Sequence, residues 1–558
     1  MATRVEPTQD WVFDDDIRAR VDAIFSPWDT VATPGCALGI YREGELVYAH
    51  GYGMSNLEHG IPIVPSSIFH IASISKQFTD MCIALLASEG AIDIDDDIRL
   101  YVPEVPDFGI TITIRHLIHH VSGLRDQWSL LELAGWREED LVTEQDVMDL
   151  VTRQTALNFN PNEEYLYCNT GYTLLSMIVK RVSGLTLREF SQQRIFAPLG
   201  MTRTHFQDDH SEIVQSRTQA YEPRKGGGYR ISIPEFDVVG TTSLFTTVED
   251  LAKWDANFTT GQIGGPEIIQ QIQTPGTFNN GKPMAYAWGL LTETYRGTPR
   301  VGHSGADHGY RAEYLRLPEF GFTVTCLANV SNSNPRSLAE RVADAVLGDM
   351  LAPKDGTCGM SQFARGTRKK AIPIIVPESL EGIYHHDGQN TYLTITSRDG
   401  RAWLEVDEQL ELTTVGNGRF TIPAPWNLVL EVLGETSPPD RIGVSMGGGA
   451  GGDVSEYTRI PRWVPTTADI DAYAGNYWSD ELAVSYELIA DHAANTLTLR
   501  RRKSDDLTFV PLAKDVFGRG SLQFGTVLVF DREKKGKIGG FLLTAGRIRN
   551  LRFTRHEG

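Results

Sequence analysis

The chain is poor in cysteine. Its 558 residues include five, Cys36, Cys82, Cys168, Cys326 and Cys358, odd in number, scattered, and without a C-x-x-C pair. That excludes a disulfide framework and a cysteine-built zinc site; each is expected to be a reduced, buried thiol. Positive charge is also scarce: 52 Lys and Arg stand against 72 Asp and Glu, a formal net charge of −20. This balance excludes nucleic acid and anionic membranes as partners. No apolar run approaches the length of a membrane span. The N-terminal stretch lacks the apolar segment of a signal peptide, so a cytoplasmic chain is expected.

Metal and phosphate signatures are missing too. There is no H-E-x-x-H. His116, His119 and His120 fall at i, i+3 and i+4, yet no carboxylate sits at a useful spacing. They are read as packing and hydrogen-bonding groups rather than ligands. The glycine run Gly447–Gly452 has no following Lys and no helix to supply N–H groups, so it reads as a hairpin tip. Neither metal nor organic cofactor is expected.

What remains is a globular composition, 41% hydrophobic, sized for two to four domains. Asp14–Phe25 reads as a helix with an acidic first turn. Cys36–Tyr41 and Glu45–His50 alternate around Glu43-Gly44 and read as a hairpin. Helices are expected over Ile112–Leu124, Glu144–Gln154, Thr173–Val182, Val248–Phe258 and Leu338–Leu347. Tyr310–Leu317 and Phe322–Asn329 form a second hairpin around Pro318–Gly321. Strands at both ends with helices between predict an α/β sandwich whose sheet is completed by distant segments. The boundaries read as 1–352 for this domain and 353–370 for a polar linker. Residues 371–465 and 466–558 then read as two antiparallel β-barrels. Leu380-Glu-Gly-Ile-Tyr384 is repeated as Tyr473-Ala-Gly-Asn-Tyr477, and Tyr457-Thr-Arg459 as Phe553-Thr-Arg555, which suggests one barrel duplicated.

Three short motifs carry chemistry. Ser73-Ile-Ser-Lys76 is the sole S-x-x-K. On a helix, i and i+3 share a face, so the Lys76 amine would lie beside the Ser73 hydroxyl and activate it. Ser75 is the rival nucleophile, but neighbouring side chains do not face each other. Tyr167-Cys-Asn169 is the sole Y-x-N. In an extended loop, Tyr167 and Asn169 would point to one site and Cys168 away from it. His303-Ser304-Gly305 is the third.

In order and separation these motifs resemble those of serine hydrolases related to class C β-lactamases and penicillin-binding proteins, peptidase family S12. The resemblance spans roughly residues 15–350 and includes Ile112–Leu124, Ile195–Met201 and Thr247–Trp254. Ser-Ile-Ser-Lys-Gln-Phe-Thr, Ser-Gly-Leu-Arg-Asp and Tyr-Cys-Asn are similar to segments of D-stereospecific aminopeptidases, which also carry two C-terminal β-barrels. The fold implied is a β-lactamase-like α/β sandwich followed by two small antiparallel barrels.

The resemblance assigns Ser73 as nucleophile and Lys76 as its proton acceptor. Tyr167 becomes a proton relay to the leaving group, and Asn169 a partner of Lys76 and the substrate amide. The backbone N–H groups of Ser73 and Ala306 become the oxyanion hole, with Ser304 and Gly305 lining the substrate. Where relatives that grip a substrate carboxylate carry Lys-Thr-Gly, this chain has His303. Imidazole is largely neutral at pH 7, which favours aminopeptidase, amidase or esterase chemistry over carboxypeptidase or efficient β-lactamase action. His303 is expected to impose a titration near neutrality. One departure concerns the last barrel. In D-aminopeptidases a hairpin there helps recognise the free amine; the matching Gly518–Gly525 is shorter and has no acid, Asp515 being nearest.

The expectation is a hydrolase of small amides or peptides, an aminopeptidase with D-residue preference. An esterase of the same family is the alternative, and a non-catalytic penicilloyl sensor or scaffold the second; acyl transfer and a homodimeric assembly stay open. An α/β-hydrolase reading of Gly302-His-Ser-Gly-Ala306 fails because a strand, not a helix, follows Ser304.

Overall fold

The structure is a computed structural model. It describes residues 11–353, 377–386, 388–389, 391–405, 409–416, 418–422, 428–433, 436–446, 454–501, 505–520, 525–534 and 536–556. Nearly all of the expected linker, Cys358, the Gly447–Gly452 run and the centre of the Gly518–Gly525 hairpin lie outside them. The chain divides into two compact units. One comprises residues 1–123, 138–148 and 159–356; the other, residues 124–137, 149–158 and 357–558.

The first unit is built on a six-stranded sheet. In chain order its strands are β1 (Cys36–Arg42), β2 (Glu45–Tyr52), β3 (Leu291–Tyr295), β4 (Thr298–Asp307), β5 (Tyr310–Leu317) and β6 (Phe322–Ala328). Their spatial order is β3-β4-β5-β6-β1-β2. The sequence-distant β1 and β6 thus pair antiparallel, Cys36 opposite Ala328.

Alternation along the strands sorts the two faces. Cys36, Leu38, Ile40, Leu315, Leu317, Val324 and Cys326 point to one side. They are buried against α1 (Asp15–Phe25), capped by Asp14, and the C-terminal helix Pro335–Leu347. On the opposite face the Tyr41 hydroxyl donates to the Val248 carbonyl at 2.7 Å, and Tyr314, Thr323 and Arg316 all donate to Asp255 on helix Val248–Thr260. A further helix, α2 (Lys76–Ser88), is buried from Lys76 through Leu86. Its stretch Met81–Leu86 is apolar on every side, as suits a helix deep within a core.

Two expected helices differ most in extent. Ile112–Leu124 is helical only over Ile114–Ile118, because the chain leaves the helix at His120 with φ +58°. There the His120 Nδ1 accepts the Cys168 N–H at 3.0 Å, a long-range bond that outcompetes one more turn. The helix expected from Thr173 begins at Asn169 and runs to Ser183; we call it α3.

The second unit holds two closed eight-stranded barrels, Gly382–His386 to Ser455–Ile460 and Gly475–Ser479 to Ile548–His556. Each closes by pairing its first and last strands, Tyr384 opposite Arg459 and Tyr477 opposite Arg555. The repeated residues do the same work in both. The Tyr384 hydroxyl donates to the Leu380 carbonyl at 2.9 Å and that of Tyr477 to Tyr473 at 2.7 Å. Arg459 and Arg555 donate to the carbonyls of Glu381 and Ala474.

Residues 124–137 and 149–158 pack with the second barrel. Arg125 forms a buried ion pair with Glu481, whose carboxylate also accepts the Thr155 N–H at 3.0 Å. The Tyr486 hydroxyl donates to the Leu133 carbonyl at 2.5 Å. No helix among the described residues is long and apolar enough to cross a membrane.

Candidate active site

Ser73 lies in a short 3-10 turn, Ala72–Ser75, that runs directly into α2. The tight turn keeps i and i+3 eclipsed, and Lys76 Nζ sits 3.2 Å from Ser73 Oγ. Ser75 is fully buried; its hydroxyl donates to the Ala72 carbonyl at 2.5 Å and accepts from the Leu244 N–H. The rival nucleophile is therefore a structural group. Ala72 itself has φ +49°, a left-handed conformation that costs a non-glycine residue roughly 1 kcal/mol or more. His120, Ser243 and His308, also near the site, have positive φ as well.

Lys76 is completely buried. Its Nζ donates to Asn169 Oδ1 at 2.9 Å and to the Thr241 carbonyl at 2.7 Å, with Thr241 Oγ1 at 3.2 Å. Thr241 Oγ1 in turn donates to Asn169 Oδ1 at 2.5 Å, which fixes the amide with its oxygen toward the amine. These fixed acceptors hold the amine beside the Ser73 hydroxyl, within reach for proton transfer. Thr241 was not legible in the sequence. It follows Gly240 (φ +95°), where a Cβ would stand 2.5 Å from the Tyr172 carbonyl; only glycine lets this loop reach the lysine.

One turn along α2, Asp80 is fully buried and accepts from the Tyr172 hydroxyl at 2.7 Å. Burial holds its carboxyl well above the usual range, despite Tyr172 and Lys76.

Asn169 is the first residue of α3, preceded by an extended Cys168. Tyr167 and Asn169 converge as expected, but through a loop-to-helix junction instead of an extended loop. Lys76 Nζ stands 4.8 Å from the centroid of the Tyr167 ring, which packs on His120 at 4.1 Å. The three histidines are engaged structurally. The Thr113 N–H bonds to His116 Nδ1, His119 Nδ1 lies 3.2 Å from the Tyr286 carbonyl, and His120 accepts from Cys168.

His303, Ser304, Gly305 and Ala306 lie on β4. A Cβ on Gly305 would approach the Ile71 carbonyl to 2.3 Å, so only glycine allows β4 to run against the turn before Ser73. β3 pairs with β4 only as far as Gly302. Among the described residues, no strand pairs with that edge from His303 to Asp307.

His303 overturns one expectation. Its Nδ1 donates to the Ser304 carbonyl at 2.6 Å, and its Nε2 accepts from the Tyr286 hydroxyl at 3.1 Å. Burial, reinforced by the charge of Lys76, pushes its pKa down to about 3. It is neutral throughout the physiological range and does not titrate near neutrality. Its partner is Tyr286, which no sequence motif announced; the Tyr167 ring is 6.1 Å away.

The Ser304 hydroxyl donates to Glu313 Oε2 at 2.5 Å. Beyond Ala306, Asp307 accepts from Thr242 at 2.8 Å and pairs with His308, whose other nitrogen donates to the Glu138 carbonyl. Those two bonds outweigh burial and raise His308 to about 9.

With this geometry in hand, similar proteins place the chain. The family described as Beta-lactamase matches residues 13–349. A D-aminopeptidase of Gluconobacter oxydans (strain 621H) is 28% identical over 387 residues, covering 66% of this chain and 73% of its own. Penicillin-binding protein 4* of Bacillus subtilis (strain 168) is 27% identical over 387 residues, covering 66% and 83%. The octameric penicillin-binding protein homologue from Pyrococcus abyssi superposes with a TM-score of 0.55 at 22% identity, over 88% of this chain and 99% of that one. The polypeptide is a serine hydrolase and belongs to the β-lactamase family.

Proposed function

We propose that this enzyme hydrolyses small amides and peptides through an acyl-enzyme on Ser73, as an aminopeptidase that prefers D-residues, in the cytoplasm. The observation that carries this reading is the buried Lys76 amine aimed at Ser73 by neutral acceptors. Lys76 takes the Ser73 proton as Oγ attacks the substrate carbonyl. The N–H groups of Ser73 and Ala306 receive the oxyanion. Tyr167, beside Lys76, passes a proton to the departing nitrogen, and the C–N bond breaks. Water, deprotonated along the same path, then attacks the ester carbonyl and frees Ser73. Asn169 holds Lys76 and the substrate amide. The names of the D-aminopeptidase relatives support the substrate class.

The test is hydrolysis of D-alanine p-nitroanilide, L-alanine p-nitroanilide, p-nitrophenyl acetate and a chromogenic cephalosporin by wild type and Ser73→Ala. D over L anilide turnover, lost in the variant, is the expected result. Activity that survives Ser73→Ala would overturn the assignment.

An esterase is the second reading. It is favoured by Asp515, the acid nearest the last barrel's hairpin, which is already engaged by Tyr473 and Arg532. Ester turnover without anilide turnover would select it.

A further inference from the structure

The strand end that carries Ala306, the proposed oxyanion donor, is held along one edge. From His303 to Asp307, β4 pairs with β5, Ala306 opposite Arg311 and Asp307 opposite Tyr310. Among the described residues, no strand pairs with its other edge there, and Ala306 is exposed. Alternation puts the Asp307 side chain on the same face as His303 and Gly305. That face lies against the turn that carries Ser73: a Cβ on Gly305 would meet the Ile71 carbonyl at 2.3 Å and the Ala72 Cβ at 3.2 Å.

Asp307 ties this strand end to other parts of the site. Its Oδ2 accepts the Thr242 hydroxyl at 2.8 Å, and its Oδ1 accepts from His308 Nδ1 at 2.8 Å. His308 Nε2 donates to the Glu138 carbonyl at 3.0 Å. Thr242 follows Thr241, whose carbonyl and hydroxyl receive Lys76. It precedes Ser243, whose N–H donates to His70 Nε2 at 3.1 Å. One carboxylate therefore joins the strand of the oxyanion donor to the loop that holds the base.

We infer that Asp307 is a positioning residue that ties the Ala306 N–H to the Thr241 acceptors of Lys76, with His308 as the clamp on its carboxylate. This rests on the acyl-enzyme reading above and adds what fixes the base and the oxyanion hole relative to each other. A carboxylate free to turn would release Thr242 on one side and the strand end on the other. A misplacement of about 1 Å in such a site costs about 10²-fold in rate.

The clamp titrates. The His308 ring faces Asp307 and the exposed Glu138, and Phe236 packs on it at 6.0 Å. Arg311, on β5, donates to the carbonyls of His308 and Tyr310. His70, beside Asp307 and with Arg217 near it, is depressed to about 4 by burial and stays neutral. Carboxylates and guanidiniums keep their charge between pH 7 and 10, so His308, raised to about 9, is the member that changes. The cation donates through both nitrogens; the neutral ring has one hydrogen and must release Asp307 or Glu138. The clamp is complete well below pH 9 and is lost as pH rises through it.

The experiment uses the full chain and whichever of D-alanine p-nitroanilide and p-nitrophenyl acetate the wild type turns over through Ser73, corrected for the uncatalysed rate. At pH 7.5, Asp307→Ala should lower kcat by about tenfold to a hundredfold, with KM little changed. Asp307→Asn should recover most of that loss: its amide oxygen accepts from Thr242, and its NH2 donates to a neutral His308 whose other nitrogen still reaches Glu138. That arrangement needs no imidazolium. The ratio of wild-type to Asp307→Asn kcat should therefore fall severalfold as pH rises through 9, while titrations shared by both, those of Lys76 and Tyr167 among them, divide out. Thr242→Val should lower kcat in the same sense but less, and it keeps the test usable where Asp307→Ala fails to fold. Wild-type kcat in Asp307→Ala or Thr242→Val, no recovery in Asp307→Asn, or a ratio that stays flat from pH 7 to 10 would overturn the inference. Turnover of neither substrate, or turnover that survives Ser73→Ala, would sink the acyl-enzyme reading and this inference with it.

Discussion

Two buried basic side chains, one in each unit, are housed in opposite ways. Lys76 is surrounded by neutral oxygens: an amide, a carbonyl and two hydroxyls. Arg125 lies against the Glu481 carboxylate and donates to the carbonyls of Arg549 and Asn550. A carboxylate partner locks a proton in place, because removing it would strand a buried anion. Neutral acceptors impose no such penalty, so the amine is free to exchange its proton with Ser73. The first arrangement serves chemistry and the second holds a fold together. The two should be separable by experiment.

The largest effect is expected at the lysine. Lys76→Met should lower kcat/KM by about 10³-fold or more, the scale of a lost general base. Its melting temperature should stay equal to wild type or rise, since a buried amine is replaced by a thioether of similar length. A fall in stability matching the fall in rate would erase the contrast.

Arg125→Met should do the reverse. It strands Glu481 and is expected to destabilise the second unit by about 3–5 kcal/mol, read by calorimetry. A Ser73-directed fluorophosphonate should still label the protein below its melting point. Between these lies Thr241→Val, which keeps the carbonyl but frees the Asn169 amide to turn. A drop in kcat of about tenfold is expected, on the scale of one lost positioning bond in a transition state, with little change in melting.

Acidity sharpens the comparison further. His303 is depressed to about 3, and His70, His116 and His119 to about 4. Below about pH 6.5 the unfolded chain binds protons that these groups refuse when folded. Stability should therefore fall as pH drops from 6.5 toward 4. His308, raised to about 9, acts in the opposite sense: its contribution is complete below 6.5 and is lost as pH rises through 9. Calorimetry between pH 4 and 9 checks both limbs. The rate profile of His303→Asn between pH 5 and 8 should keep the wild-type shape; a lost limb there would show that His303 titrates after all.

The smallest effects belong to the barrels. Tyr384→Phe and Tyr477→Phe each remove one hydroxyl-to-carbonyl bond, worth about 1 kcal/mol. They should cost the same if the two closures are equivalent.

What the sequence disclosed follows the range of each interaction. Ser73 and Lys76 were legible because i and i+3 meet within one turn. The repeated Tyr and Arg motifs announced the barrels because each unit closes on itself. Glu313 was within reach: a tight turn at Asp307–Tyr310 sets it opposite Ser304, but the turn has no Pro or Asn-Gly signal. Thr241 and Tyr286 arrive from loops whose course depends on packing, and nothing local marks them. The error at His303 has the same origin. A reference pKa describes a solvated imidazole, and burial beside Lys76 is a property of the folded chain alone.

The Arg125–Glu481 pair also orders events during synthesis. Its partners are 356 residues apart. At roughly 5–20 residues per second, Arg125 leaves the ribosome many seconds before the carboxylate that neutralises it. Through that interval residues 124–137 have no finished unit to join, and the nascent chain carries them exposed. Chaperone capture should therefore concentrate on this stretch, and an abortive product ending before Glu481 should be prey to proteases there.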